Sequence, residues 1–179
     1  VIPGAAGLVF DVSQSYTIEV IFRTTMTSDI GSLISKGADV SNPDSQLWIR
    51  YQGNGQLRGL IEGVDNTTED SATSSAATPV NDGQWHRMAL VFDGTISPKK
   101  LQIYVDGNLS GADASVGTLG VIGGNDNDPL IIGEFASLGL NRSFVGDITA
   151  IRLSDTALAP QDFLQGSATY FTDIVPTNR

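Results

Sequence analysis

The residues able to do acid–base chemistry are few. The chain has four glutamates, Glu19, Glu62, Glu69 and Glu134, and a single histidine, His86. Hydrolysis of a glycoside needs two carboxyl groups placed across one bond, one held protonated and the other ionised. Glu62 and Asp65 come nearest in sequence, but Gly63 and the turn-forming Asn66 break the strand on which such a pair would have to sit. His86 lies on the apolar side of an alternating segment, where a lone histidine reads as a satisfied core residue rather than a base. No Ser-His-Asp order, phosphate-binding loop or dinucleotide fingerprint is present. Cysteine is absent, which excludes disulfides, zinc-thiolate sites and a thiol nucleophile. The residue types therefore read as non-enzymatic.

Recognition chemistry is better represented. Sugars stack their apolar faces on aromatic rings while charged and amide groups take the hydroxyls. Trp48 alternates with Gln46 and Arg50 along Gln46–Tyr51, and the opposing arm of the hairpin offers Arg58, Leu60 and Glu62. Arg87, Gln102 and Tyr104 form the polar set of a second strand pair. Pooled on one sheet face, Trp48, Arg50, Arg58, Glu62 and Tyr104 are the expected ligand-binding residues. The competing reading covers Trp48 with a loop and leaves the arginines as cross-strand partners. An exposed Trp48 favours glycan binding; a covered one favours a structural role.

The elements that must position these side chains are strands. Tyr16–Arg23 alternates strictly, with Tyr16, Ile18, Val20 and Phe22 inward and Thr17, Glu19, Ile21 and Arg23 outward. Gln46–Tyr51 and Gln56–Glu62 flank Gln52-Gly53-Asn54-Gly55, a hairpin signal. The run from Asp82 to Gly111 holds two more alternating strands, Trp85–Phe92 and Leu101–Val105, with turns at Asp93-Gly94 and Asp106-Gly107. Shorter strands are expected at Leu8–Val12, Gly31–Lys36, Leu130–Gly133 and Phe144–Leu153. Val64–Pro79 is a polar loop or a weak edge strand with a loop. Gln165–Arg179 is a terminal strand, at Tyr170–Val175, or a linker. Twenty glycines and 17% charged residues fit many short strands joined by tight turns, and 179 residues suit one domain. The expected fold is an all-β, two-sheet antiparallel sandwich of jelly-roll type.

The run Asp82-Gly83-Gln84-Trp85-His86, then Phe92-Asp93-Gly94, then Leu101-Gln102-Ile103-Tyr104-Val105-Asp106-Gly107, resembles the laminin G-like branch of the concanavalin A-like lectin jelly rolls. The likeness extends over residues 9–163, through Leu-Ile-Ile-Gly at 130–133 and Phe144–Leu153. Two departures stand out: Val12 replaces the glycine of an early Phe-Asp-Gly, and Thr149-Ala150 replace a frequent Asp-Glu. The Glu-x-Asp-x-x-Glu of the glycoside hydrolases on this fold is missing. The resemblance implies a non-catalytic recognition module. It also implies a structural or rim calcium ion held by an aspartate from each of two loops, which Asp44 and Asp113 match. Asn125-Asp126-Asn127-Asp128 is a further oxygen-rich loop without EF-hand spacing.

Charge narrows the partners. Twenty acidic residues against ten basic give a net charge of −10, which argues against nucleic acid and anionic membranes. No apolar run reaches the roughly 20 residues that cross a bilayer. The chain opens at Val1 without a secretory leader, so it reads as a processed chain or part of something longer. Asn66, Asn108 and Asn141 head glycosylation tripeptides, informative only for a eukaryotic source. The expected role is glycan binding or adhesion within a larger secreted or surface protein. The alternative is a structural unit of a filament, coat or virion contacting neighbouring subunits. An enzyme stands third.

Overall fold

The computed structural model describes residues 10–37, 46–62, 69–112, 114–116, 128–135 and 142–165. They form two antiparallel sheets. One contains β1 (Ser15–Arg23), β6 (His86–Asp93), β7 (Lys99–Val105), β8 (Asn108–Leu109), β9 (Ala114–Val116) and β11 (Asp147–Ser154). Its order is β11-β1-β6-β7, with β8 and β9 both pairing on β7. The other runs β10-β2-β3-β4-β5, from β10 (Leu130–Ile132) through β2 (Gly31–Lys36), β3 (Leu47–Tyr51) and β4 (Leu57–Glu62) to β5 (Glu69–Thr73). A single 3-10 turn, Pro160–Asp162, is the only helical element among the described residues.

Alternation builds the core. Tyr16, Ile18, Val20 and Phe22 of β1, Met88, Leu90 and Phe92 of β6, and Leu101, Ile103 and Val105 of β7 point inward. They meet Leu47, Ile49 and Tyr51 of β3 and Leu57 and Ile61 of β4 from the other sheet. Pleating puts successive side chains on opposite faces, so one apolar set per strand suffices to seal a sandwich. Gly59 sits in the middle of β4 because a Cβ there would lie 2.4 Å from Leu90 Cδ1.

The expected hairpin joins β3 to β4, and Val64–Pro79 does supply an edge strand, β5. Asp70 on that edge is the kind of charged residue that discourages pairing with another chain. Two expectations need correction. In the described part of Leu8–Val12, Phe10 and Val12 are buried but not in a strand. Asp11 instead turns the chain by accepting hydrogen bonds from the Ser13 amide (2.7 Å) and hydroxyl (2.8 Å). The last long strand begins at Asp147, not Phe144, because the residues before it are drawn aside: Ser143 bridges Ser32 of β2. The expected Tyr170–Val175 strand lies outside the described residues.

The outer face of the six-stranded sheet is covered by the chain after β11. Phe163 packs on Ala89, Val91 and Tyr104, with Ala157 and Leu158 beside it. Thr17 Oγ1 donates to the Thr156 carbonyl (2.8 Å) and accepts from the Leu158 amide (2.9 Å). Glu19, fully buried, accepts from the Leu164 amide (2.6 Å) and from Arg152 Nε. Arg152 also donates to the Asp162 carbonyl (2.6 Å), and Arg87 donates to the Leu164 carbonyl. Thr17 and Glu19, read as outward, are thus buried beneath a strap, and Ile21 on the same side is buried too.

Candidate functional site

The hairpin β3–β4 carries the expected site. Its register sets Trp48 opposite Leu60 and Arg50 opposite Arg58, and β2 adds Ser35 beside Trp48 and Ser32 beside Arg50. All point away from the core. Trp48, Arg50, Arg58 and Glu62 therefore share one face, as expected. Tyr104 does not join them. It lies on β7 of the opposite sheet, in edge contact with Phe163 (5.1 Å between ring centroids) beneath the strap. Alternation assigns a residue to one side of its own sheet; it does not say which of two sheets that is.

Trp48 is not an open platform either. It is 5% exposed, stacked on Phe135 at 4.2 Å and 27°, and it donates from Nε1 to Ser32 Oγ (3.1 Å). Leu60 and Ile30 complete this second apolar cluster. The covered alternative is the one observed, and a pyranose cannot stack on this ring. What sits over the indole instead is cationic: the Arg50 guanidinium lies 4.1 Å and that of Arg142 4.7 Å from the ring, and Arg142 also lies 5.4 Å from Phe135. Arg142 is placed by its carbonyl, which accepts from the Ser32 amide at 2.8 Å. A guanidinium stacked on a ring makes its hydrogen bonds in its own plane, the geometry in which arginine pairs with carboxylate, sulfate or phosphate oxygens.

Arg58, next to Arg50 across the hairpin, donates to Ser71 Oγ (3.0 Å). Like charges directly opposite on a sheet are destabilising, and here two arginines are opposed, while a third, Arg142, lies over the neighbouring Trp48 ring. Sequence reading missed Arg142 and Phe135. Phe135 is a lone aromatic just past the Leu-Ile-Ile strand, and Arg142 stood only within a glycosylation tripeptide; neither has a periodicity that points to Trp48.

His86 is satisfied, as expected, but by charge. Nδ1 lies 2.8 Å from Asp106 Oδ2 and Nε2 3.0 Å from Asp82 Oδ1, and Asp106 Oδ1 accepts from the Arg87 amide (2.8 Å). The Asp-Gly-x-Trp-His and Val-Asp-Gly runs are thus one circuit that ties two turns together. The bond to Asp106 raises the imidazole pKa, burial opposes it, and the bond to Asp82 adds to the rise. Asp82 is held below the usual carboxylate range by the Gln84 amide and then by His86. Burial pushes Asp106 up, but His86 and the Arg87 amide outweigh it.

A raised histidine stabilises the fold fully below its unfolded pKa, about 6.5, and that contribution is lost as pH rises through the folded value. The lowered aspartates act above about pH 4 and are lost as pH falls through their folded values. Thermal unfolding across pH 4–9 is therefore expected to show falling stability on the alkaline side that His86→Gln flattens. An unchanged alkaline limb in the variant would contradict the ion-pair circuit.

Asp44 and Asp113 lie outside the described residues, as do Asn125–Asn127. Among the described residues no group of three or more His, Cys, Asp or Glu side chains is placed to hold a metal ion. No helix among them is long and apolar enough to cross a membrane.

Comparison with known proteins agrees with this architecture. Among solved structures, a Ruminococcus gnavus sialidase CBM40 bound to α2,3-sialyllactose superposes with a TM-score of 0.65 at 18% identity, over 83% of this chain and 79% of that one. The leech intramolecular trans-sialidase, complexed with 2,7-anhydro-Neu5Ac, gives 0.66 at 19% identity, over 83% of this chain but 22% of the enzyme. Domains LG4-5 of the mouse laminin α1 chain give 0.56 at 25% identity, over 86% of this chain and 37% of theirs. No curated protein matches the chain. A laminin G family model of the concanavalin A-like lectin/glucanase superfamily matches residues 4–162, and with two antiparallel sheets built on the same signature, the chain belongs to that family.

Proposed function

We propose that this domain is a non-catalytic, extracellular recognition module that binds acidic glycans on the outer face of its five-stranded sheet. The observation that carries this reading is the stacking of Arg50 and Arg142 on Trp48, with Arg58 opposite Arg50 on the neighbouring strand, in a chain of net charge −10. Guanidinium groups select planar anions by paired hydrogen bonds, and stacking on aromatic rings fixes their orientation before a ligand arrives. Two of the similar structures hold sialyl ligands, which supports a carboxylate-bearing sugar as the first ligand to test. The imidazole and the buried glutamate that could have served catalysis are committed to Asp82 and Asp106 and to Arg152 and Leu164.

The test is a glycan array of sialylated, uronate-bearing, sulfated and neutral sugars, followed by titration calorimetry of the best ligand. Arg142→Ala and Arg50→Ala are each expected to weaken acidic-glycan binding at least tenfold, with Arg142→Lys recovering only part of it. Running the array with calcium and again with chelator tests the second element of the proposal, a calcium ion held by Asp44 and Asp113. Loss with chelator supports that ion and resistance removes it.

A second reading, as a building or docking unit of a surface assembly, is favoured by the burial of Trp48. A blank array together with concentration-dependent self-association would decide for it.

A further inference from the structure

A groove at one rim of the sandwich lies apart from the arginine face. β1 starts there and its two neighbours end there: Ser15 of β1 pairs with Asp93 of β6, and Thr17 with Ser154 of β11. Two adjoining cavities of about 520 and 580 Å³ share Gln14, Ser15, Asp155 and Thr156. Each lies within the roughly 300–1,000 Å³ typical of small-molecule sites. One has an apolar wall of half-buried Leu153 and Leu158 backed by the buried Phe10; the other is walled by Asp93 and Thr95. We propose that this groove is a second binding site, for an uncharged saccharide.

The chemistry of the lining sets the class. An apolar wall facing a row of hydroxyl, amide and carboxylate groups matches a pyranose, which has an apolar face and a ring of hydroxyls. Asp93 is already ordered as an acceptor: Ser15 Oγ (2.9 Å) and Thr95 Oγ1 (2.8 Å) both donate to its Oδ1, which leaves Oδ2 to face a ligand hydroxyl. The Thr95 bond keeps this carboxyl below the ordinary range against a small burial penalty, with Ser15 and Lys100 adding to it. Asp155 brings a second, exposed carboxylate to the same groove. Two carboxylates repel acidic sugars. The one guanidinium on the wall, Arg152, has its Nε and one terminal nitrogen engaged by Glu19 and the Asp162 carbonyl. The groove and the arginine face thus favour ligands of different charge, and one glycan chain with neutral and acidic residues could engage either.

Lactose, cellobiose and mannobiose are suitable probes, followed by saturation-transfer NMR and calorimetry on the full 179-residue chain. At least one is expected to bind. Asp155→Ala, and Gln14→Trp as a block at an exposed position, are each expected to weaken it tenfold or more. The double variant Arg50→Ala/Arg142→Ala should leave it within twofold. Failure of all three probes to bind overturns the proposal. So does loss in the arginine double variant with binding retained in both groove variants, which assigns neutral sugar to the arginine face. Failure of the acidic-glycan test alone leaves this groove standing, so the two proposals fail separately.

Discussion

Glu19→Ala is expected to destabilise the domain by about 3 kcal/mol, the largest effect of any exchange on the outer side of the six-stranded sheet. Glu19 is fully buried yet charged, and it is tolerated because Arg152 and the Leu164 amide supply donors to its two oxygens. Removing it leaves the amide without its acceptor and strands a guanidinium that is only about a third exposed (34%). That partial exposure lets water recover some of the loss, which keeps the effect toward the low end for a broken buried pair. Glu19→Gln keeps an acceptor for Leu164 and is expected to cost about half as much. Urea unfolding measures both, and hydrogen exchange at the Leu164 amide should accelerate with the loss. An alanine variant within about 0.5 kcal/mol of the parent would mean that the strap is held without Glu19, by Phe163 and the Thr17 and Arg87 hydrogen bonds.

Gly94→Ala should cost about as much, about 3 kcal/mol, by a different mechanism. A Cβ at Gly94 would lie 2.3 Å from the Gln14 carbonyl oxygen and 2.6 Å from that of Val12. Both obstacles are backbone, so relief requires moving the segment that leads into β1. The natural control is Gly133→Ala, where no atom lies within 4 Å of the added carbon and only the positive φ of 78° is penalised. That control is expected to lose about 1–2 kcal/mol. Equal losses at the two positions would defeat the contact argument. Because Gln14, Asp93 and Thr95 line the rim groove, Gly94→Ala should also weaken neutral-sugar binding by more than its stability loss alone predicts.

These two residues show what is legible in a β sequence. Strand alternation placed Tyr16, Ile18, Val20 and Phe22 in the core correctly, because pleating is local and has a fixed period. It also placed Glu19 on the outer side correctly, but it says nothing of what covers that side. The cover arrives from Leu164, 145 residues later, and no local pattern encodes it. Trp48 follows the same rule: its side of the sheet was right and a covered ring was one of two expectations, but the covering residues Phe135 and Arg142 come from irregular segments. Tyr104 failed because two sheets each have an outer face and alternation is blind to the difference. Asp93-Gly94 was readable as a turn, whereas its role beneath Val12–Gln14 required knowing that β1 and β6 are neighbours.

The strap also bears on where this module can be cut or joined. The family match ends at residue 162, one position before Phe163 and two before Leu164. An excision at that border would strip the ring that seals Ala89, Val91 and Tyr104 and the amide that satisfies Glu19. For splicing this domain into another polypeptide, the seam therefore belongs beyond Leu164. A partner fused closer than that would have to supply an aromatic plug and a backbone donor of its own.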